Sequence, residues 1–391
     1  MRSFVNRQVA ALPPSGIRKF FDLVQQSKGI ISLGVGEPDF TTPWHIREAA
    51  IYSLEKGKTS YTSNWGMPEL REAVATHLEN WQGLKYDPTN QILITVGAAE
   101  GVDLAMRAVL EPGDEILIPE PSFVSYVPCA KMAGGHVVTI PLRAEDDFKL
   151  TPELLRQYIT PRTKVLFISF PSNPTGAVMT KDELEEIAKI AIEHDLMVFS
   201  DEIYGEMTYG GEHYSICRFP GMQERTILLN GMSKAYAMTG WRIGYACGPE
   251  DVIAQMMKIH QFAIMCAPTA GQIAAIEALK NGYPERDKMI QEYDRRRKVM
   301  YKGFTEMGLP CFEPRGAFYI FPSIAPTGMN EEEFAMKLLE EEKVAVVPGS
   351  AFGEAGKNHI RCSYASSMDN LQESLRRIGK FVERHSLVGH K

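Results

Sequence analysis

The stretch at 226–247, TILLNGMSKAYAMTGWRIGYAC, opens and closes on apolar runs of strand length, 226–230 and 243–247. Between them one lysine, Lys234, sits among small and hydroxyl residues, with Arg242 eight positions after it. A lone lysine in a turn is ordinarily a solvated charge, so its meaning depends on what neighbouring segments bring beside it. Working outward, further strand-like runs at 92–96, 115–118, 136–140, 164–169 and 197–200 alternate with helical patterns from about 91 to 248. That alternation is the rhythm of βαβ units. One helix start is marked by Thr180-Lys181-Asp182-Glu183, a capping box in which hydroxyl and carboxylate each satisfy the other residue's amide. Beyond about 283 the pattern changes to a long charged helix followed by short strands and further helices. The expected fold is α/β. A large domain over 46–285 has a mainly parallel central sheet, and a smaller α+β domain is made of 286–391 together with the N-terminal segment 1–45.

With 42 basic against 49 acidic side chains in 391 residues the net charge is −7, spread along the chain. Neither a nucleic acid nor an anionic membrane surface is indicated as a partner. The run Arg295-Arg296-Arg297-Lys298 and the acidic runs at 331–333 and 340–342 read as solvated helix faces. The six cysteines are scattered, without C-x-x-C pairs or histidines at ligand spacing, which argues for no metal site and for a reducing compartment. No apolar run approaches the ~20 residues of a membrane helix, and the N-terminus lacks the apolar core of a secretory signal. A cytoplasmic location is expected.

In open α/β sheets ligands gather at the carboxyl ends of the strands, so the residues just after each run are the ones that carry chemistry. After 92–96 comes Gly97-Ala98-Ala99, a glycine turn into a helix whose free N–H groups favour a phosphate. Phe123 follows 115–118 and offers a ring for stacking. Asn173 stands in a rigid proline turn after 164–169. Asp201 ends the run at 197–200, with Tyr204 three residues on, and a carboxylate there is costly unless it meets a group with a proton to share. Ser233, Lys234 and Arg242 complete the set. An anion site, a stacking ring, an amide, a carboxylate with a tyrosine, and a lysine with an arginine match the parts of pyridoxal 5′-phosphate. On that reading Lys234 forms an imine with the cofactor and later moves a proton. Asp201 keeps the pyridine nitrogen protonated, Asn173 and Tyr204 bond the phenolic oxygen, and Arg242, Ser233 and the Gly97 turn hold the phosphate.

These residues closely resemble the class I aminotransferases of pyridoxal phosphate fold type I, in the branch of aspartate, aromatic and alanine aminotransferases. The matching stretches run from SGIRKF at 15–20 through ISLGVGEPDF, YTSNWGMPELREAV, PGDEILIPEPSFVSY, PSNPTGAV, SDEIY, GMSKAYAMTGWRIGY, GAFYIFP and VVPGSAFG to RCSYA at 361–365. The resemblance implies an enzyme that moves an amino group between an L-amino acid and a 2-oxo acid, with 2-oxoglutarate as the expected acceptor, by ping-pong half-reactions. It further implies a homodimer with shared active sites. Arg361, helped by Asn173 and the Gly36 backbone, takes the substrate α-carboxylate, and Tyr61 reaches the phosphate of the partner's cofactor. Gly231 stands where many relatives carry a phosphate-binding serine, and Phe123 replaces a frequent tryptophan; both departures weaken a strict aspartate specificity. The alternative on the same scaffold is a C–S β-lyase. A cofactor-binding transcription regulator is disfavoured because the likeness begins by Ser15, leaving no room for a DNA-binding domain. A nicotinamide dehydrogenase is disfavoured because no strand is followed by G-x-G-x-x-G.

Overall fold

A computed structural model of the chain describes residues 4–13 and 29–386. The SGIRKF stretch at 15–20 lies outside them. In chain order the strands are β1 (Ile31–Ser32), β2 (Ile92–Thr95), β3 (Glu115–Glu120), β4 (His136–Pro141), β5 (Thr163–Ile168), β6 (Met197–Asp201), β7 (Thr226–Gly231) and β8 (Gly244–Cys247). The shorter β9 (Tyr319–Ile320), β10 (Val344–Ala345), β11 (Val347–Pro348) and β12 (Ile360–Ser363) follow.

Strands β2 to β8 form one seven-stranded sheet in the order β2-β8-β7-β6-β5-β3-β4. They are the seven runs expected from the sequence, with ends shifted by one or two residues. Only β8 is antiparallel to its neighbours. The carboxyl ends of the others and the entry to β8 therefore share one edge, which brings Arg242 beside the residues that follow β7. Alternate residues of the inner strands feed separate apolar layers: Leu117, Leu166 and Val198 pack into one, and Ile116, Val165, Phe167 and Phe199 into the other. Burial on both faces is why these strands read as continuous apolar runs. The capping box is formed: Glu183 N donates to Thr180 Oγ1 at 3.3 Å and Thr180 N to Glu183 Oε2 at 2.7 Å, starting the helix Lys181–Glu193.

The C-terminal part carries a three-stranded antiparallel sheet, β11-β12-β9, and β1 pairs in parallel with β10. Among the described residues no helix is long and apolar enough to cross a membrane. One sequence expectation is corrected. Arg296 and Arg297 are not on a solvated face of the helix Tyr283–Glu306; both are buried. Arg296 pairs with Asp39 at 2.8 Å, and Arg297 pairs with Asp294 at 2.8 Å and Glu313 at 2.6 Å. Glu331 is also buried, its carboxylate accepting from Asn358 N at 3.0 Å. The charges stay inside because each meets a partner.

Candidate active site

At the shared strand edge lies a cavity of about 570 Å³, within the ~300–1,000 Å³ usual for small-molecule sites. Its wall brings together Gly36, Ala98, Ala99, Phe123, Asn173, Asp201, Tyr204, Ser233, Lys234, Arg242 and Arg361, twelve of the thirteen expected residues when Gly97 is counted as the turn beneath Arg242. Gly97 has φ +73°, and a Cβ on it would collide with the Arg242 guanidinium, so the glycine lets the arginine lie over the helix start. Ser233 is buried beside them. Tyr61, the thirteenth, does not line the cavity; it is 79% exposed on a neighbouring surface loop. Gly231 has no room for a serine, because a Cβ there would press on the backbone of Ile243 and Gly244 in the adjoining strand.

Lys234 follows β7 in a tight turn and donates from Nζ to Gly36 O at 2.6 Å. Burial, then the nearby Arg361 charge, lowers its pKa to about 8. Asp201 accepts from Tyr126 Oη at 2.7 Å and from Ile203 N at 3.1 Å. Burial still carries its pKa above the ordinary carboxylate value despite those bonds. A carboxyl in this state favours a cationic partner that shares a proton. Tyr204 Oη bonds Tyr319 Oη at 2.8 Å. Phe123 packs edge-on to Tyr126, ring centroids 5.6 Å apart.

Arg361, on β12, is 3% exposed. Its guanidinium donates to Asn173 Oδ1 at 2.9 Å and to Gly34 O at 2.6 Å, and it lies over Tyr319 and Phe352 at 4.5 and 4.8 Å. Among the described residues no carboxylate reaches it within ion-pair distance, and its Nε has no hydrogen-bond partner. A buried guanidinium held by neutral acceptors next to a lysine and a carboxyl is a site prepared for an anion.

The family model for aminotransferases of class I and II matches residues 28–378. The chain belongs to the class I and II aminotransferases. It is 50% identical over 98% of its length to a putative aminotransferase, YugH, of Bacillus subtilis, covering 100% of that protein. It is 47% identical to an aspartate aminotransferase of Pyrococcus abyssi, over 96% of this chain and 97% of the relative. Among solved structures, the aromatic aminotransferase of Pyrococcus horikoshii OT3 superposes with a TM-score of 0.90 at 46% identity, over 93% of this chain and 99% of that one. This aminotransferase is therefore an enzyme of transamination that uses pyridoxal 5′-phosphate on the type I fold. The residues present fit that cofactor, because the cavity joins an arginine-covered glycine turn, a lysine of lowered pKa and a buried carboxyl with capacity for a shared proton.

Sequence reasoning missed Tyr126 and Tyr319. Both stand inside quoted family stretches, PGDEILIPEPSFVSY and GAFYIFP, but their polar partners, Asp201 at the end of β6 and Tyr204 in the turn after it, lie 75 and 115 residues away in sequence. Only the sheet order brings them together.

Proposed function

We propose that this aminotransferase transfers the amino group of an L-amino acid of the aromatic, alanine or aspartate class to 2-oxoglutarate, in two half-reactions at one site. The carrying observation is the buried Arg361 guanidinium, with no carboxylate at ion-pair distance among the described residues, lining the same cavity as Lys234. Amino and oxo acids share only the α-carboxylate and the carbon beside it, so one planar fork that binds both in turn suits an alternating mechanism. Asn173 and the Gly36 backbone orient the carboxylate with it.

When bound, pyridoxal phosphate supplies the electron sink that stabilises negative charge on the substrate α-carbon. Arg242, Ser233 and the N–H groups at Gly97, Ala98 and Ala99 would hold its phosphate. Phe123 would stack on its ring, Asp201 would serve the ring nitrogen, and Asn173 and Tyr204 would serve the phenolic oxygen. Lys234 Nζ takes the proton from the substrate α-carbon, and a pKa of about 8 leaves some free amine near neutral pH.

The reading includes a homodimer in the cytoplasm, in which Tyr61 completes the partner's phosphate site. Its support is an apolar surface: Tyr61, Phe262, Ile264 and Met265 are exposed together, where Asn64 Nδ2 donates to Met265 O at 2.7 Å and Thr269 Oγ1 to Ser60 O at 2.8 Å. Exposed apolar side chains on two segments tied together in this way suit a protein interface. The β1–β10 pairing supports taking 1–45 with 286–391 as the small domain and 46–285 as the large one. A panel of amino donors against 2-oxoglutarate and pyruvate tests the function, with parallel double-reciprocal lines as the expected signature. Release of pyruvate and ammonia from cystathionine without any oxo acid would instead favour the β-lyase.

A further inference from the structure

Behind the cavity floor, on the opposite face of the sheet end from Asp201, is a polar cluster that the reaction does not touch. Side chains alternate along a strand, so Ser200 and Glu202 point away from the face that carries Asp201. Both are buried, and Ser200 Oγ donates to Glu202 Oε1 at 3.0 Å. The same oxygen accepts from Ser215 Oγ at 2.7 Å, and His213 Nε2 lies 2.7 Å from Glu202 Oε2. The residues on either side of Asp201 are thus tied through one carboxylate to the 213–215 loop. Glu202 N also donates to Leu229 O at 2.8 Å, which keeps it in the sheet ladder.

The cluster is itself braced. His213 stacks on Trp81 at 5.4 Å and 20°, and Trp81 stacks on His77 at 5.3 Å and 26°. His77 Nε2 lies 3.2 Å from the buried Glu206. The turn from Asp201 to Glu206, which carries Tyr204, is therefore fixed at both ends by histidine–carboxylate pairs joined through one tryptophan. A Cβ on Gly205 would strike the Trp81 ring, so the turn lies flat against the stack. His213 also borders a second cavity of about 180 Å³ that shares no lining residue with the first.

We propose that Glu202, fixed by His213, Ser200 and Ser215, is a positioning residue for Asp201, acting through the back of the strand on the carboxyl that faces the cofactor's ring nitrogen. The inference rests on the reading of Asp201 given above. Two effects add. Pinning both flanking residues restricts the backbone that aims the Asp201 carboxyl. The Glu202 charge also favours a proton held at Asp201, in the same direction as burial.

The test is a spectrophotometric pH titration of the bound cofactor in the substrate-free holoenzyme, alongside steady-state kinetics, for Glu202→Gln, Asp201→Asn and the double variant. Glu202→Gln keeps the volume and removes the charge. Its midpoint should move in the same direction as that of Asp201→Asn but by less, and kcat should fall about tenfold while KM stays within about twofold, the scale of a lost supporting contact. In the Asp201→Asn background the second change should add no further shift. His213→Gln, which keeps a donor but loses the stack, should give a smaller shift of the same sign and covers the case in which Glu202→Gln folds poorly. A lowered Tm with wild-type midpoint and kcat in both variants, while Asp201→Asn shifts, would reduce the cluster to a structural role and overturn the proposal. An Asp201→Asn variant with an unmoved midpoint would overturn the reading of Asp201 itself, and this inference with it.

Discussion

Two buried arginines in this molecule have opposite surroundings. Arg297, on the helix Tyr283–Glu306, is 5% exposed and has carboxylates at 2.8 and 2.6 Å from Asp294 and Glu313, as well as the Pro314 carbonyl at 3.0 Å. Arg361 is as deeply buried but rests on an amide, a carbonyl and two aromatic faces, with Nε unpartnered among the described residues. The first is a completed ion cluster. The second has charge and donors left over, and desolvation lowers its pKa, with no carboxylate among the described residues to offset the burial. Leftover valence in a buried group is maintained against a stability cost, so it marks where a ligand belongs. The same test applied to Lys234 and Asp201 gives the same answer: Asp201 is buried and Lys234 half-buried, and desolvation shifts each away from its ordinary pKa and toward its neutral form.

The largest effect should come from Lys234. Lys234→Ala should abolish turnover yet retain cofactor non-covalently through the phosphate contacts, and borohydride should fix cofactor to the wild-type chain only. Labelling of another lysine would break the comparison at its centre, since the buried amine would then be a structural one.

Substitution at the two arginines separates them directly. Arg361→Lys keeps a charge but loses the planar fork, so kcat/KM for amino and oxo acids alike should fall roughly 10- to 100-fold, the equivalent of losing a charged hydrogen bond. Arg297→Met should leave kcat and KM near wild type and lower stability by about 2 kcal/mol, measured by urea unfolding. Equal effects on activity at both positions would erase the distinction. An Arg361 effect confined to dicarboxylic substrates would move that residue to the distal carboxylate.

These arginines also show what the sequence does and does not disclose. The seven strands of the main sheet and the groups at their ends were legible because a doubly buried strand must be apolar throughout, and a polar residue just past it then stands out. Asp201, Asn173 and Lys234 are visible for that reason. Arg297 was misread as solvated because a charged run on a helix looks the same whether its partners are water or Glu313. Tyr126, Tyr319 and the Glu202–His213 pair were missed because each gains its meaning from contacts that only the tertiary fold creates. The pairing of β1 with β10, from opposite ends of the chain, had no local signature at all.

Lys234 also gives a pH dependence. In the cofactor-free protein its pKa lies near 8 instead of 10.5, so between those values the unfolded chain binds more protons than the folded one. Stability of the cofactor-free protein from this group should therefore rise with pH through that window, the gain being complete above 10.5 and absent below 8. Only the free amine attacks the cofactor's aldehyde, so the rate of covalent capture should rise up to about tenfold per pH unit below the folded pKa and level off above it. Stopped-flow mixing of apoenzyme with pyridoxal phosphate measures this. A rate already flat from pH 6 would mean that the amine is not protonated there and that burial has shifted it further.

The smallest effect extends the argument from leftover charge to leftover surface. Tyr61 is 79% exposed, and Phe262, Ile264 and Met265 are exposed as well among the described residues. If a second copy covers them and Tyr61 serves the partner's phosphate site, a heterodimer of one Lys234→Ala chain and one Tyr61→Ala chain, purified on two tags, should recover activity. The subunit that keeps Lys234 would receive an intact Tyr61 from the other, so one site of the pair is wild type at both positions. About half of the wild-type rate per dimer should return, provided that the sites act independently. Were Tyr61 to act within its own chain, the only site with a lysine would lack the tyrosine, and the hybrid could do no better than half the Tyr61→Ala rate. A hybrid at that lower level would assign Tyr61 to its own chain's site, and a Tyr61→Ala homodimer of wild-type rate would place it with the ordinary surface residues; in either case the Arg361 contrast would stand unchanged.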